Sequence, residues 1–324
     1  MHYLITGGAG FIGSHLAGLL LNKGHKVTII DDLSTGSFKN IEKYRDNKNY
    51  RFAIETILNQ TVLDRLVYEC DVVIHLAAAV GVELIVAEPV KVIETNILGT
   101  EAVLSIANRY RKKIFVASTS EVYGKNSNLP FSEEDDMVLG STMKHRWSYA
   151  ASKAIDEFLA LAYNKKYNLP VIIGRFFNTV GPRQTGRYGM VVPRFVKQAL
   201  QNKPITVYGD GNQTRCFTYV EDVVNAVYLL LNTDKAIGKV VNIGNDVPIS
   251  IYNLALKIKE LTNSKSEIKF ISYDKAYESG FEDMQHRQPD VSLLKEITGF
   301  RPKVNLEDTL IKIINYFKEN KDEI

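Results

Sequence analysis

The sequence predicts an α/β protein: a doubly wound parallel sheet with a smaller mixed α/β region at its C-terminal end. Three observations predict it. Short apolar runs alternate with helix-length segments through the first half of the chain, the pattern of a parallel sheet covered on both faces. The first run opens into a glycine-rich turn, and the second ends in two aspartates. Beyond about residue 178 the alternation loosens into a mixed order of strands and helices.

The elements follow in order. "HYLIT" reads as a buried strand and 11–23 as the helix after it. "HKVTIID" is a strand and "NYRFAI" a weaker one; "TVLDRLVYE" is helical and "DVVIHLA" a strand. Residues 89–110 form a long helix with Pro89 in its first turn, a position that needs no N–H donor. "KKIFVAS" is a strand, 148–168 a second long helix, and "LPVIIGR" closes the series. In the second half "ITVYG", "KVVNIG" and "EIKFIS" read as strands, and 220–232, 250–262 and 306–319 as helices. No internal repeat or low-complexity linker interrupts the chain. The reading divides it into domains over 1–178 and 179–324, with elements after 215 free to pack back onto the first.

Composition narrows the function classes. Of 324 residues, 45 % are apolar and 24 % charged, which supports a full core. The net charge is +3 with no clustered Lys and Arg, so nucleic acid is not an expected partner. Runs such as "VVIHLAAAV" fall far short of the roughly 20 residues that span a bilayer. The start carries no charged-then-apolar leader, so a cytoplasmic, membrane-free protein is expected. Cys70 and Cys216 stand in unrelated contexts, which argues against a disulfide framework or a zinc site and fits a reducing compartment. No metal is expected.

In "TGGAGFIGSH", Gly7, Gly10 and Gly13 are spaced Gly-x-x-Gly-x-x-Gly between the first strand and the first helix. A helix N-terminus offers free N–H groups and partial positive charge, where a pyrophosphate can sit if no side chain blocks it. Gly7 suits the tight turn, Gly10 the close approach and Gly13 helix–strand packing, as in a Rossmann-type dinucleotide site. A ligand-free turn is the bland alternative. Asp31 and Asp32 end the second strand; a carboxylate there bonds both ribose hydroxyls of NAD and repels the 2′-phosphate of NADP. Asp31 is preferred, because it ends the apolar run, and one of the two is open to being a surface turn residue.

"STSEVYG" lies at a strand end, where chemistry collects in open parallel sheets, so Thr119, Ser120 and Glu121 face the crevice. In "SYAASK", Tyr149 and Lys153 are four apart and share a helix face. A tyrosine keeps its proton until about pH 10 in water, and a nearby ammonium lowers that value. The pair is a candidate general base.

With these motifs in order, the chain resembles the extended short-chain dehydrogenase/reductase family over nearly its whole length. More narrowly it resembles the nucleotide-sugar epimerase, dehydratase and decarboxylase branch, through "RFFNTVGPR", "VYGDGNQTRCFTYVEDVV" and "HRQPD". The resemblance implies transient oxidation of a sugar C4 by bound NAD. It implies cofactor contacts at Gly7, Gly10, Phe11, Ile12, Gly13, Asp31, Asp32, Tyr149 and Lys153. Tyr149 would take the C4 hydroxyl proton, Lys153 would hold the nicotinamide ribose and depress the Tyr149 pKa, and Thr119 would bond the same hydroxyl. Ser120 would meet substrate, Asn178 the diphosphate, and Arg215 and Arg287 a phosphate or sugar carboxylate. Surface ion pairing is the alternative for the two arginines. Asp290 would take the nucleoside ribose or, alternatively, N-cap a helix starting at Val291. One departure lies after the third strand, where Glu55, Thr56 and Ile57 replace the family's usual Asp-Ile and leave the adenine contact at Thr56 open.

Three reactions follow from a C4 ketone. A 4,6-dehydratase uses an Asp-Glu pair after the Thr, and here Ser120 and Glu121 stand there. The Thr-Ser-Glu triplet and "RCFT" resemble UDP-glucuronate decarboxylases of the UDP-xylose synthase type. "KHRWSYAASK" and "GPRQTGRYGMVVPRF" resemble UDP-glucuronate 4-epimerases, although Glu121 is not typical of galactose epimerases. The reading favours a 4-epimerase turning UDP-glucuronate into UDP-galacturonate, with catalytic residues Tyr149, Lys153, Thr119 and Glu121. The decarboxylase is the alternative, and a non-catalytic NAD sensor the reading from another class. The resemblance also implies a homodimer through the two long helices. Ile155, Phe158, Leu159 and Ala162 form the expected stripe, unless it faces its own sheet.

Overall fold

The computed structural model describes residues 1–323 apart from 187–189, 277–281 and 283. The first half runs β1 (His2–Thr6), α1 (Phe11–Asn22), β2 (Lys26–Asp31), β3 (Tyr50–Ile54), α2 (Gln60–Glu69), β4 (Val72–His75), α3 (Val82–Ala87), α4 (Pro89–Arg109), β5 (Lys113–Thr119), α5 (Ser148–Tyr167) and β6 (Val171–Phe176). The second half runs β7 (Thr179–Val180), α6 (Val191–Leu200), β8 (Ile205–Tyr208), β9 (Thr214–Cys216), β10 (Thr218–Tyr219), α7 (Val220–Leu231), β11 (Val240–Ile243), β12 (Pro248–Ser250), α8 (Ile251–Leu261), β13 (Ile268–Ile271), α9 (Tyr273–Ala276), β14 (His286–Arg287), α10 (Ser292–Thr298) and α11 (Leu306–Glu319).

Seven parallel strands form the main sheet in the order β11-β6-β5-β4-β1-β2-β3. The inner strands have the short apolar runs that burial on both faces requires, whereas the edge strand β3 is largely exposed. The chain winds outward one way from β1 to β3 and the other way from β4 onward. The reversal opens a crevice at the carboxyl ends of β1 and β4, where ligands bind in such sheets. One core layer packs α1 and α7 on the sheet through Leu16, Leu20, Val223 and Val227; the other packs α2, α4 and α5 through Leu63, Val103 and Ala160. A third core joins α6, α8 and α11 through Phe195, Leu254 and Phe317. The "KVVNIG" strand, far beyond residue 178, pairs with β6 as β11.

α3 and α6 are helices that the sequence pattern did not disclose. Pro193 sits in the first turn of α6, where no intrahelical N–H partner is lost. The small sheets β12-β9-β14, β13-β8 and β10-β7 contain strands of two to four residues, too short to show alternation. Both cysteines are free, buried thiols, pushed up to about 12 by burial. Among the described residues no helix is long and apolar enough to cross a membrane, and no group of His, Cys, Asp and Glu is placed to hold a metal.

The β1–α1 turn explains its glycines. Gly7 has φ +70, and a Cβ there would stand 2.8 Å from the Ala77 nitrogen beyond β4. A Cβ at Gly13 would lie 2.3 Å from the Gly7 oxygen and 2.8 Å from the Gly8 Cα. The expected helix–strand contact at Gly13 is therefore a contact between α1 and its own preceding turn. Gly13→Ala is expected to cost roughly 1–3 kcal/mol through overpacking against backbone. Urea unfolding checks this, and a variant as stable as the parent would refute the contact.

Candidate active site

The crevice is a cleft of about 550 Å³. Its floor is the β1–α1 turn and the ends of β2, β4, β5 and β6; its far wall comes from β8, β9, α9 and β14. Gly7, Gly10, Phe11, Ile12, Gly13, Asp31, Asp32, Thr56, Thr119, Ser120, Glu121, Tyr149, Lys153, Asn178, Arg215 and Arg287 all line it. Asp290 does not.

The dinucleotide end fits the sequence expectation. Gly10 precedes α1 in extended conformation, so the first N–H groups of the helix open toward the cleft. Asp31 accepts from the Ala9 and Leu33 N–H groups, each at 2.9 Å, and so ties the end of β2 to the glycine turn. Burial raises its pKa, and those two hydrogen bonds pull it back down. A carboxylate has about four acceptor sites, which leaves capacity for ribose hydroxyls. Asp32 is the surface turn residue of the two: it is exposed, and its carboxylate accepts from Ser34 N–H and Oγ–H. A helix tip without side chains beside a half-buried carboxylate is a fitting seat for a dinucleotide.

The reacting end is built from three segments. Thr119 ends β5, and its Oγ1 accepts from the Glu121 N–H at 3.2 Å, starting a tight turn over 120–123. That turn carries Ser120 and Glu121, both buried at the cleft wall. The Glu121 carboxylate meets two guanidiniums, Arg146 ahead of α5 and Arg287 on β14, the latter at 2.5 Å. Burial alone would raise the Glu121 pKa, but the two arginines overcome it and hold it at about 2, against an ordinary 4.5. Glu121 is thus a fixed anion.

Tyr149 is buried between Ala79, Ile85 and Val92. The expectation that Lys153 depresses its pKa is corrected here. Burial raises the Tyr149 pKa, the Glu121 charge raises it further, and a hydrogen bond with Thr119 offsets part of this. The physical reason is a competing partner: Lys153 Nζ donates to Asp156 Oδ2 at 2.6 Å, and both side chains are buried.

Arg215 and Arg287 are register partners on β9 and β14, and both are buried at the cleft wall rather than in surface ion pairs. Like charges so placed repel unless compensated. Glu121 compensates Arg287, and Arg215 donates to the Thr214 and Gln285 carbonyls. Asn178, at φ +29, donates to the Cys216 carbonyl at 3.3 Å. Asp290 lies outside the lining of this cleft, and its Oδ1 accepts at 2.8 Å from the N–H of Ser292, the first residue of α10, whose N-cap is Val291. The stretch "GPRQTGRYGMVVPRF" is only partly placed, since 187–189 lie outside the described residues. Sequence reasoning missed Arg146, although it stands three residues before Tyr149 in a quoted stretch. It also missed Arg194, whose guanidinium lies 3.9 Å over the Tyr208 ring in the cleft wall.

The fold and this cleft define a Rossmann-type enzyme of the extended short-chain dehydrogenase/reductase kind. Residues 4–313 match the family described as GDP-mannose 4,6 dehydratase, and the chain belongs to that family. It is 45 % identical over 321 residues to the UDP-N-acetyl-alpha-D-glucosaminuronate decarboxylase of Bacillus cytotoxicus, covering 99 % of this chain and 98 % of that one. It is 39 % identical to UDP-glucuronic acid decarboxylase 1 of Xenopus tropicalis, over 98 % of this chain and 72 % of that protein. The solved UDP-glucuronic acid 4-epimerase of Bacillus cereus, in complex with UDP-glucuronic acid and NAD, superposes with a TM-score of 0.89 at 33 % identity, covering 99 % and 100 % of the two chains.

The depressed Glu121 pKa carries a stability prediction. The ionised, paired form stabilises the fold above pH 4.5, and that contribution is lost as pH falls toward about 2. Glu121→Gln is expected to cost roughly 3 kcal/mol at neutral pH. In urea unfolding the gap to the parent should close as pH falls through that window; a gap independent of pH would refute the ion pairs.

Proposed function

We propose that the protein is an NAD-dependent decarboxylase of a UDP-linked hexuronate. This reverses the order of the sequence reading, which put the 4-epimerase first. Similarity to two decarboxylases over nearly the whole chain supports the reversal. The observation that carries it is Glu121, ionised in the cleft wall and sharing Arg287. A site that only turns a ketone over is served by donors alone around the uronate carboxylate. Here that carboxylate meets an anion as well as a cation, and loss of CO₂ relieves the repulsion.

The chain's residues then divide the work. Gly7, Gly10, Phe11, Ile12 and Gly13 hold the cofactor pyrophosphate end, Asp31 its ribose and Lys153 the nicotinamide ribose. Bound NAD supplies the reversible oxidation and re-reduction of the sugar C4. Tyr149 takes the C4 hydroxyl proton, and Thr119, hydrogen-bonded to it, holds both oxygens in place. With a ketone at C4, the C5–C6 bond breaks and its electron pair passes to the C4 oxygen as an enolate. CO₂ leaves, C5 takes up one proton from solvent, and Tyr149 gives its proton back to the C4 oxygen as the hydroxyl re-forms. Arg287 orients the departing carboxylate, while Arg215 and Asn178 face the diphosphate. The cofactor is not consumed.

The substrate proposed is UDP-N-acetylglucosaminuronate, after the Bacillus cytotoxicus relative, with UDP-glucuronate as the second reading. NMR of each incubation should show a UDP-pentose and CO₂. UDP-galacturonate without CO₂ would return the function to the 4-epimerase, and no turnover with retained NAD would favour the sensor. Tyr149→Phe is expected to lose on the order of 10²-fold or more in rate while still binding NAD.

The proposed partner is a second copy of this chain. α4 and α5 pack side by side, and Leu98, Ile155 and Phe158 on them are 52 %, 46 % and 64 % exposed. Ala162 is also exposed, while Leu159 packs inward on the core of α2, α4 and the sheet. Two such faces would form a four-helix contact. Light scattering should report a dimer, and Phe158→Asp a monomer; a monomeric parent would refute it.

A further inference from the structure

α5 carries a charged group that the proposed chemistry does not use. Asp156 is 0 % exposed, and its Oδ2 holds the Lys153 ammonium at 2.6 Å. Its other oxygen is buried with no hydrogen-bond partner, although Thr100 of α4 faces the carboxylate. An unsatisfied buried oxygen of this kind is costly. The same helix shows what a satisfied acid looks like: Glu157 accepts from Ser118 and takes both Nε and Nη2 of Arg175. An apolar side chain at 156 would avoid that cost but leave the buried Lys153 ammonium without its carboxylate. What distinguishes the position is that its partner is Lys153, which lines the cleft one turn beyond Tyr149.

We propose that Asp156 is a positioning residue, which anchors the Lys153 ammonium behind the cleft and acts as a fixed counter-charge to it, restraining the lysine's pull on Tyr149. The inference rests on the assignment of Tyr149 as base. Lys153 then has two partners, Asp156 and the reacting end of the cleft, and the strength of the base depends on how the charge is shared between them.

The surroundings are consistent with this. The charges facing Tyr149 are Glu121 from the turn after β5, Arg146 ahead of α5, and Asp156 on α5. Those around the Lys153–Asp156 pair are Glu157, whose charge is taken by Arg175 of β6, and His75 of β4. His75 is held neutral by burial, at about 3, and bridges Thr6 and Thr100. Asp156 is therefore the anion at Lys153 that no arginine neutralises in this structure. Its charge works against the Tyr149 phenolate, as does that of Glu121.

The test is the ionisation of Tyr149 in the full chain without added substrate. Ultraviolet difference titration against Tyr149→Phe isolates one phenol among the 17 tyrosines. In Asp156→Asn the midpoint should fall by about one pH unit, a tenfold gain in phenolate at a given pH. In Asp156→Glu, which keeps the charge, it should stay near the parent's. The acid limb of the rate profile should move the same way as the midpoint in Asp156→Asn. Should that variant not fold, Asp156→Ala carries the same expectation. A midpoint unmoved on removing the charge, or moved equally by Asp156→Glu, would overturn the proposal. Full turnover in Tyr149→Phe would instead overturn the assignment of the base, a separate failure.

Discussion

A carboxylate out of water stays ionised only if cations go in with it. Glu121 is that carboxylate, and the cations it takes in come from distant parts of the chain: Arg146 ahead of α5 and Arg287 on β14. The ion cluster therefore pins three segments to one point of the cleft wall. Arg215 stands beside Arg287 in register. A cleft walled by guanidiniums, with a glycine-lined helix tip on its floor, suits a ligand with several negative groups. The diphosphate of a sugar nucleotide has them.

α5 is the second organising feature. It delivers Tyr149 and Lys153 to the cleft and roots itself through Glu157, held bidentate by Arg175 on β6 and also by Ser118 on β5. Bidentate Arg–carboxylate pairs fix geometry as well as adding energy. The helix is thus tied to the sheet a single turn beyond Lys153. A helix with so many buried polar groups shows little amphipathic contrast, and its sequence alone does not declare which face is inward.

That is why the fold was more legible than the site. The main sheet was readable strand by strand, because burial on both faces enforces apolar runs such as Val171–Ile173. The glycine turn was readable because a single backbone geometry demands those residues. The short strands β9 and β14 were not, since their order comes from pairing with partners far along the chain. Arg146, Asp156 and the fate of Asp290 were illegible for a related reason. A charged residue's surroundings depend on what the fold brings to it: the Asp290 of "HRQPD" accepts from the Ser292 N–H at the start of α10. Of the expected stripe, Ile155, Phe158 and Ala162 face out while Leu159 turns inward.

The charge state of Glu121 also separates the reactions open to a C4 ketone. Elimination across C5 and C6, as the family's dehydratase name denotes, needs an acid to protonate the leaving hydroxyl. A group with a pKa of about 2 has surrendered its proton long before neutral pH. Ser120, beside it, is no stronger an acid. The same reasoning limits what Glu121 does in a decarboxylation: it cannot deliver the proton that C5 gains after CO₂ departs. Its influence is electrostatic, through Arg287 and through the carboxylate that must share that arginine.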